Sequence, residues 1–255
     1  MLDNNTVEKL REMKLGVMAA EFNKQTADQK TAQLTFEERF GLIVDAEWAT
    51  RKTNRLNRLI RGANFAWPGA CLENVDYRPD RELDRGVIAR LGTCNYLLDH
   101  RNIMILGASG SGKSWIACAF GVAAARNYYT VRYTRLPDLL GELAIARAEG
   151  TYRKALTQLA KVQLLIIDEW LLYDLKDGDV RDILEIIDRR HKRASTIFCS
   201  QYDVPGWHEK LGCATIADAI CDRIVHDSYT LLVKGNESMR KQNGLAANEK
   251  GASPH

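Results

Sequence analysis

The chain has 255 residues, of which 45% are apolar, enough for one large α/β domain with a smaller appendage. Its 36 basic and 33 acidic side chains leave a net charge of +3, which by itself does not indicate a nucleic-acid partner. No apolar run approaches the ~18 residues of a membrane span, the polar start is no signal peptide, and the six cysteines lack zinc-ligand spacing. We therefore expect a cytoplasmic protein with reduced, mostly buried cysteines, no membrane partner and no zinc.

Apolar side chains recur at helical spacing through residues 1–66, which predicts a small helical N-terminal domain. One helical segment begins at Thr35, with Glu38 three residues later as in a capping box. The apolar face of this segment is predicted to consist of Phe36, Phe40, Ile43 and Val44.

A basic stripe follows within the same helical region, because the window from Trp48 to Ala63 holds five basic residues and no acidic residue. The arginines are spaced by four, three and three residues, which places them along one helical face. Such a face is an electrostatic footprint for a phosphate backbone, and it is equally compatible with a solvated surface, ion pairs or a partner protein. The arginines are Arg51, Arg55, Arg58 and Arg61.

Pro68 and Gly69 mark a linker, after which a second domain is expected over residues 67–240. A helical run, Leu83–Leu98, leads into it. Short apolar runs then alternate with helical stretches, which favours a parallel five-stranded sheet covered on both faces, an α/β fold. The polar residues 241–255 are predicted to form a disordered tail. The predicted strands are Asn102–Leu106, Val131–Thr134, Val162–Ile167, Thr196–Cys199 and Tyr229–Val233.

Residues 107–114 match the phosphate-binding pattern G-x-x-x-x-G-K-[ST], between a predicted strand and a predicted helix. Glycines let backbone N–H groups point at phosphate oxygens, and the helix contributes its positive end. Lys113 supplies charge to the β- and γ-phosphates, and the Ser114 hydroxyl binds Mg²⁺. The sequence therefore predicts ATP and Mg²⁺ as ligands. The expected nucleotide-binding residues are Gly107, Ala108, Ser109, Gly110, Ser111, Gly112, Lys113, Ser114 and Trp115.

A pair of carboxylates, Asp168 and Glu169, ends the third predicted strand. Asp168 is expected to hold Mg²⁺, and Glu169 to polarise the attacking water, which favours hydrolysis. Ser200 follows the fourth strand, where it could orient the water or occupy an ordinary turn. Thr134, at the end of the second strand, could hydrogen-bond Glu169.

Two arginines near the C-terminus, Arg223 and Arg240, follow the last helical pattern and the last strand. An arginine supplied by a neighbouring subunit stabilises the charge of the transition state, so activity would then depend on a homo-oligomer. A solvated or salt-bridged surface group is the alternative.

Together these motifs resemble the AAA+ ATPases of the DnaC-like clade, and most of all the IstB family of insertion-sequence helper ATPases. The resemblance runs from about Val7 to Lys241. Its most specific parts are the stretches Ser195–Gln201, Trp207-His208, Ala217–Ile224 and Glu237–Arg240.

The resemblance implies an AAA+ core over residues 67–240, with Lys113, Glu169, Ser200 as sensor 1 and Arg223 as the arginine finger in catalysis. It makes Arg240 sensor 2, although Asn236 is an insertion relative to the family pattern. It also implies partners: a cognate transposase, and double-stranded DNA bound with little sequence preference.

Further DNA candidates come from the clade's extra helix after the second strand, here within Leu136–Lys161, where Arg147 and Lys154 lie. A basic run at residues 189–193 is a further DNA candidate, although a short basic run near a strand is more often a surface loop. Three other functions remain open: a DnaC-like replicative helicase loader, a metabolic P-loop kinase, and an ATP-binding module that does not hydrolyse ATP.

Overall fold

The computed structural model of the protein describes residues 2–28, 31–235 and 239. The chain divides into two compact units, residues 1–58 and residues 59–255. The domain boundary expected after residue 66 stays a prediction, and the tail predicted at the C-terminus lies outside the described residues.

The first unit is helical. It consists of α1 (Leu2–Glu12), α2 (Gly16–Ala27), a 3-10 turn (Thr31–Gln33) and most of α3 (Phe36–Gly62). The capping box predicted at the start of α3 is confirmed, because the two residues exchange hydrogen bonds: Thr35 N donates to Glu38 Oε2 (2.8 Å), and Glu38 N to Thr35 Oγ1 (3.3 Å).

Glu47 ties α3 to the start of α2. Its buried carboxylate accepts hydrogen bonds from the backbone N–H groups of Val17 (3.0 Å) and Met18 (3.1 Å). These groups lie in the first turn of α2, whose N-cap residue provides no side-chain hydrogen bond. Arg51 donates to the same carboxylate (2.6 Å), which lowers the pKa of Glu47, and to the Lys14 carbonyl oxygen (2.7 Å). Arg51 therefore has a structural task in the first unit.

The apolar face predicted for α3 is only partly buried. Ile43 is buried, whereas Phe36 is 76% exposed and Phe40 is 51% exposed. The rings of Phe36 and Phe40 stack on each other with centroids 6.0 Å apart. Val44 is exposed as well, so only one of the four predicted residues is buried, because helical periodicity does not tell how much of a face is covered.

The second unit is built on a parallel five-stranded sheet, as predicted, with the strand order β2-β3-β4-β1-β5. All five predicted strands are present, because a strand covered on both faces appears in the sequence as a continuous apolar run. The strands are β1 (Asn102–Leu106), β2 (Val131–Arg135), β3 (Leu164–Trp170), β4 (Ser195–Ser200) and β5 (Ser228–Leu232).

Helices cover both faces of this sheet. One face packs on α6, where Ile166 lies beside Gly121, and the other on the cluster that includes Leu165, Ile167 and Phe198. The helices are α4 (Arg85–Gly92), α5 (Asn95–Leu98), α6 (Lys113–Arg126), α7 (Leu136–Ala148), α8 (Tyr152–Lys161), α9 (Asp177–Arg190), α10 (Val204–Leu211) and α11 (Ala214–Val225), with 3-10 turns at Leu72–Asn74 and Pro79–Arg81.

The prediction of one helical run over Leu83–Leu98 was wrong in one respect, because this region forms two helices. The Asp84 carboxylate caps the first by accepting a hydrogen bond from the Val87 N–H (3.0 Å). This helix, α4, ends at Gly92, and Cys94 then adopts a left-handed backbone with φ of 65° before α5 begins. A Cβ on Gly92 would lie 2.8 Å from Leu72 Cδ1, so a larger residue there would require the Leu72 side chain to move.

All six cysteines are free thiols, as expected of reduced side chains. Four are buried, Cys71 is half-buried, and Cys213, which immediately precedes α11, is exposed. Burial raises the pKa of the buried thiols, to about 11 in the case of Cys118. The buried thiols are Cys94, Cys118, Cys199 and Cys221.

Candidate nucleotide site

The glycine-rich loop after β1 is shaped by close approach and by left-handed backbone. A Cβ on Gly107 would lie 2.2 Å from the Val233 carbonyl oxygen, so no other residue fits there. Gly110 and Gly112 have φ values of 78° and 93°, which L side chains rarely adopt. Gly112 is the N-cap of α6, so the loop leads directly into the positive end of a helix.

Lys113 and Ser114 open α6 beside this loop. The buried Lys113 ammonium donates to the carbonyl oxygens of Gly107 and Ala108, each at 2.8 Å. The Ser111 hydroxyl is buried within the loop and has no hydrogen-bond partner among the described residues. A buried polar atom without a partner is rare, and phosphate oxygens would satisfy it. The curled backbone, the ammonium and this hydroxyl therefore fit the phosphates of a nucleotide.

A cavity of about 890 Å³ opens beside the loop. Its walls include Gly110 and Gly112 of the loop, six residues between Ala66 and Arg81, and Met239. The carboxyl ends of β2 and β3 complete the lining, as expected of parallel strands that converge on a ligand. The side chains that carry chemistry here are Lys113, Ser114, Tyr133, Arg135, Asp168 and Glu169.

Asp168 is buried and held by two hydrogen bonds. Its Oδ2 accepts from the Tyr133 hydroxyl (2.7 Å), and its Oδ1 accepts from the Glu169 N–H (2.9 Å). Burial, with the carboxylate beside it, raises the pKa of Tyr133 well above its usual value, so the phenol stays a donor. Sequence analysis missed Tyr133. The available signal was alternation along β2: Arg135 lies opposite Asp168, and Tyr133 lies two residues earlier on the same face.

Glu169 follows Asp168 with a left-handed backbone, φ of 55°, where the pairing of β3 with β4 is irregular. Irregular pairing beside a site re-aims a side chain. Its Oε2 is buried without a hydrogen-bond partner among the described residues. The nearest cation is Arg135, whose Nη1 lies 3.7 Å away. A carboxylate in the cavity lining whose Oε2 has an ion pair but accepts no hydrogen bond from the described residues suits a group that accepts a proton from a reactant.

The bond expected from Thr134 to Glu169 is not made, because the Thr134 hydroxyl donates to the Arg135 carbonyl oxygen (3.2 Å). Arg135 is instead the neighbour of Glu169. Its guanidinium is fixed by Asp138 at 2.8 and 3.0 Å, and these bonds hold the pKa of Asp138 below its usual value.

Ser200 is fully buried and is not part of the cavity lining. Its hydroxyl donates to the Trp170 carbonyl oxygen (3.2 Å) and accepts from Trp207 Nε1 (3.0 Å) and the Tyr202 N–H (3.1 Å). The two indole rings pack edge to face, with Phe198 against both. The structure thus uses the Ser200 hydroxyl to join the ends of β3 and β4 to α10.

Arg223 lies on α11, outside the cavity lining of its own chain. It is ion-paired to Asp188 (2.5 Å), donates to the Ala219 carbonyl oxygen (2.7 Å), and remains 33% exposed. Its contribution to a neighbouring subunit stays a prediction. Arg240 lies outside the described residues, and so does Asn236.

The DNA candidates differ in what holds them. Arg147 is ion-paired to the buried Asp182, which also accepts from the Tyr152 hydroxyl (2.6 Å), whereas Lys154 is exposed on α8. The other three arginines of the stripe, Arg55, Arg58 and Arg61, are exposed along α3.

Among the residues that the structure describes, we find no helix both long and apolar enough to cross a membrane.

Comparison with known proteins gives a consistent picture. The family described as IstB-like ATP binding protein matches residues 8–247. The insertion sequence ATP-binding protein y4pL of Sinorhizobium fredii is 40% identical over 242 residues, which cover 95% of this chain and 98% of that protein. The ATP-binding protein of insertion sequence IS1162 from Pseudomonas fluorescens is 40% identical over 201 residues, 79% of this chain and 87% of that protein. Among solved structures, the DnaC helicase loader has a TM-score of 0.53 at 19% identity, covering 65% of this chain and 97% of the loader. The fold is therefore that of the AAA+ proteins.

Proposed function

The chain belongs to the IstB-like ATP-binding protein family of insertion sequences, and we propose that it hydrolyses ATP with Mg²⁺ as a DNA-bound, homo-oligomeric helper of the transposase of its element. One observation carries the hydrolysis: the Lys113 ammonium, the Ser114 hydroxyl and the carboxylates of Asp168 and Glu169 line one cavity. The likeness to the helicase loader supports the fold alone, whereas the relatives at 40% identity belong to insertion sequences.

Each residue of the cavity has a distinct task in this proposal. The N–H groups of the loop and the Lys113 ammonium hold the phosphates of ATP. Ser114 and Asp168 would hold Mg²⁺, which when bound neutralises charge on the β- and γ-phosphate oxygens. Tyr133 fixes the orientation of Asp168 through its hydrogen bond. Glu169 accepts a proton from the water that attacks the terminal phosphorus, while the bond to the leaving ADP oxygen breaks.

Arg223 is proposed to serve the site of a neighbouring subunit. It is partly exposed on α11, and its ion pair with Asp188 restricts its guanidinium. Charge supplied in this way would make turnover depend on assembly.

Hydrolysis is tested with Glu169→Gln. We expect ATP to bind with near-normal affinity while phosphate release falls roughly 10²–10⁴-fold, since a general base contributes about that factor. Glu142→Gln is the matched control, because Glu142 pairs with Arg132 outside the cavity. Turnover in Glu169→Gln equal to that of the control would remove Glu169 from the mechanism.

DNA contact is assigned to the stripe on α3, and the structure refines which members to test. Arg51 holds Glu47 and the start of α2, so its replacement would disturb the fold of the first unit. Arg55→Gln with Arg58→Gln is therefore the better variant. If both touch phosphates, the slope of log affinity against log salt flattens by roughly one to two units, similarly for unrelated duplexes.

The control for this measurement is Lys9→Gln with Arg11→Gln, which removes the same charge from exposed positions on α1. Its slope should match that of the wild-type protein. Equal slopes in both double variants and the wild type would exclude contact through the stripe, and recruitment of the transposase would then be measured on the same proteins.

A further inference from the structure

A buried arginine that the proposed function does not use supports the phosphate-binding loop. Arg81 ends the 3-10 turn Pro79–Arg81 and is only 4% exposed. Its Nη2 donates to the Ser111 carbonyl oxygen at 2.6 Å, and its Nη1 donates to the Asp76 carbonyl oxygen at 3.2 Å. A Cβ on Gly112 would lie 3.0 Å from the same Nη2. The guanidinium therefore packs directly against the peptide group between Ser111 and Gly112.

The hydrogen bond from Arg81 to the Ser111 carbonyl oxygen also affects the N–H group of the same peptide. A carbonyl oxygen that accepts a charge-assisted hydrogen bond polarises its peptide, and hydrogen bonds in such chains strengthen one another. The N–H of that peptide belongs to Gly112, the N-cap of α6, in the loop whose N–H groups cradle phosphates. Arg81, which is also part of the cavity lining, thus makes a loop N–H a stronger donor.

The charge of Arg81 is only weakly compensated. Among the described residues, the nearest carboxylate is that of Asp76, whose Oδ2 lies 3.9 Å from Nη1. The same carboxylate also binds Arg78, through its Nε at 2.8 Å and its N–H at 3.1 Å. Burial lowers the pKa of Arg81, the direction expected when a cation is removed from water. An anion bound at the loop would offset this cost, so the fold favours an anionic ligand there.

The backbone of Arg81 contacts the segment that follows β5. Its carbonyl oxygen accepts from the Lys234 N–H at 3.3 Å. Val233, the residue before Lys234, lies so close to Gly107 that a Cβ on Gly107 would clash with its carbonyl oxygen. One residue therefore contacts the loop with its side chain and the chain after β5 with its backbone, which fixes the guanidinium relative to both ends of the loop.

We propose that Arg81 is a positioning residue for the phosphates of the bound nucleotide, acting through the peptide group between Ser111 and Gly112. The inference rests on ATP binding and not on hydrolysis. It is independent of Glu169, the transposase and DNA.

The test compares Arg81→Met, which removes the charge and both hydrogen bonds, with Arg81→Lys, which keeps the charge but cannot span two carbonyl oxygens. Arg190→Lys is the control, because Arg190 is also buried and bound to backbone carbonyls, but far from the cavity lining. Affinities for adenosine, ADP and a slowly hydrolysed ATP analogue are measured by calorimetry, beside the thermal midpoint without nucleotide.

We expect Arg81→Met to weaken ADP and the ATP analogue by roughly tenfold or more, the loss typical of a charge-assisted hydrogen bond, and Arg81→Lys to weaken them less. Adenosine, which lacks phosphates, should bind within about twofold of wild type, as should all ligands to folded Arg190→Lys. ADP affinity unchanged in both Arg81 variants would overturn the proposal, and so would equal losses for adenosine and ADP. If Arg81→Met does not fold, the Arg81→Lys result decides by the same criteria. Because only binding is measured, failure of the hydrolysis proposal would leave this result intact.

Discussion

The two ends of the parallel sheet are built on opposite principles. At the amino end, where β3 and β4 begin, the buried guanidinium of Arg190 joins α9 to three neighbouring segments. Each of its three nitrogens donates to a protein acceptor: Leu159 O (2.6 Å), Val162 O (2.7 Å), Thr196 Oγ1 (3.0 Å) and Ser195 O. At the carboxyl end, the Glu169 Oε2 and Ser111 Oγ atoms are buried without hydrogen-bond partners among the described residues.

Left-handed backbone occurs at both ends of the sheet, since His100, Tyr128 and Lys192 precede β1, β2 and β4 with φ of 53°, 64° and 55°, but at the carboxyl end it lies in the cavity lining, at Glu169. Glu169 and Leu171, at the carboxyl end of β3, have φ values of 55° and 56°, which cost a non-glycine residue about 1–2 kcal/mol. Strain and unpaired polar atoms persist only where the surrounding structure holds them in place. Arg190 therefore stabilises the amino end of the sheet, whereas the two buried polar atoms without described partners at the carboxyl end lie beside the candidate nucleotide site.

Arg190→Met would remove the hydrogen bonds that join α9 to the amino end of the sheet, and it should have the largest effect on stability. It leaves several buried acceptors without a donor, so we expect the free energy of unfolding to fall by roughly 3–5 kcal/mol in urea titrations. Arg189→Met is the control: its exposed side chain pairs with Glu185 one helical turn away, and its loss should cost about 0.5 kcal/mol or less. Equal losses in the two variants would contradict the assignment.

Glu169→Gly should relieve the backbone strain at the carboxyl end of β3. Glycine adopts the left-handed conformation without strain, and the substitution also removes the buried carboxylate oxygen that accepts no hydrogen bond from the described residues. We expect unfolding to require about 1 kcal/mol more than in Glu169→Ala, which removes the carboxylate but keeps the strain. ATP turnover should be lost in both variants. A Glu169→Gly protein less stable than Glu169→Ala would mean that the backbone here is not strained.

Tyr133→Phe should have the smallest effect, because it removes a single hydrogen bond to Asp168. A decrease in the free energy of unfolding of about 1 kcal/mol is expected, with turnover reduced several-fold because Asp168 is less well oriented. Tyr96→Phe is the matched control. The Tyr96 hydroxyl is buried without a partner in the described part of the chain, so its removal should be neutral or stabilising. Equal changes in both variants would show that the bond to Asp168 contributes nothing.

The sequence was most informative where function is concentrated in neighbouring residues. The loop Gly107–Ser114 and the pair Asp168–Glu169 could be predicted because each is contiguous, and each follows an apolar run that reports burial on both faces. The left-handed backbone of Glu169 could not be predicted, because it arises from irregular pairing between two strands and not from a glycine in the sequence.

Most of the site residues that the sequence did not predict make hydrogen bonds to residues distant in the sequence. Arg81 contacts a loop residue that lies 30 positions later, and Tyr133 contacts a carboxylate 35 positions later. The basic run at residues 189–193 was expected to be a surface loop, which was wrong for Arg190 because its acceptors come from other segments. Charge patterning alone therefore cannot separate an arginine that meets solvent from one that fastens a core.

The uneven exposure of the cysteines has a practical consequence for labelling chemistry. Alkylating reagents require an accessible thiolate, and burial with a raised pKa protects thiols such as Cys118 and Cys221. Cys213 is exposed directly before α11, the helix that carries Arg223. With Cys71 replaced by serine, a fluorophore attached at Cys213 would lie at the start of that helix, and its emission would report any subunit that approaches this end of α11.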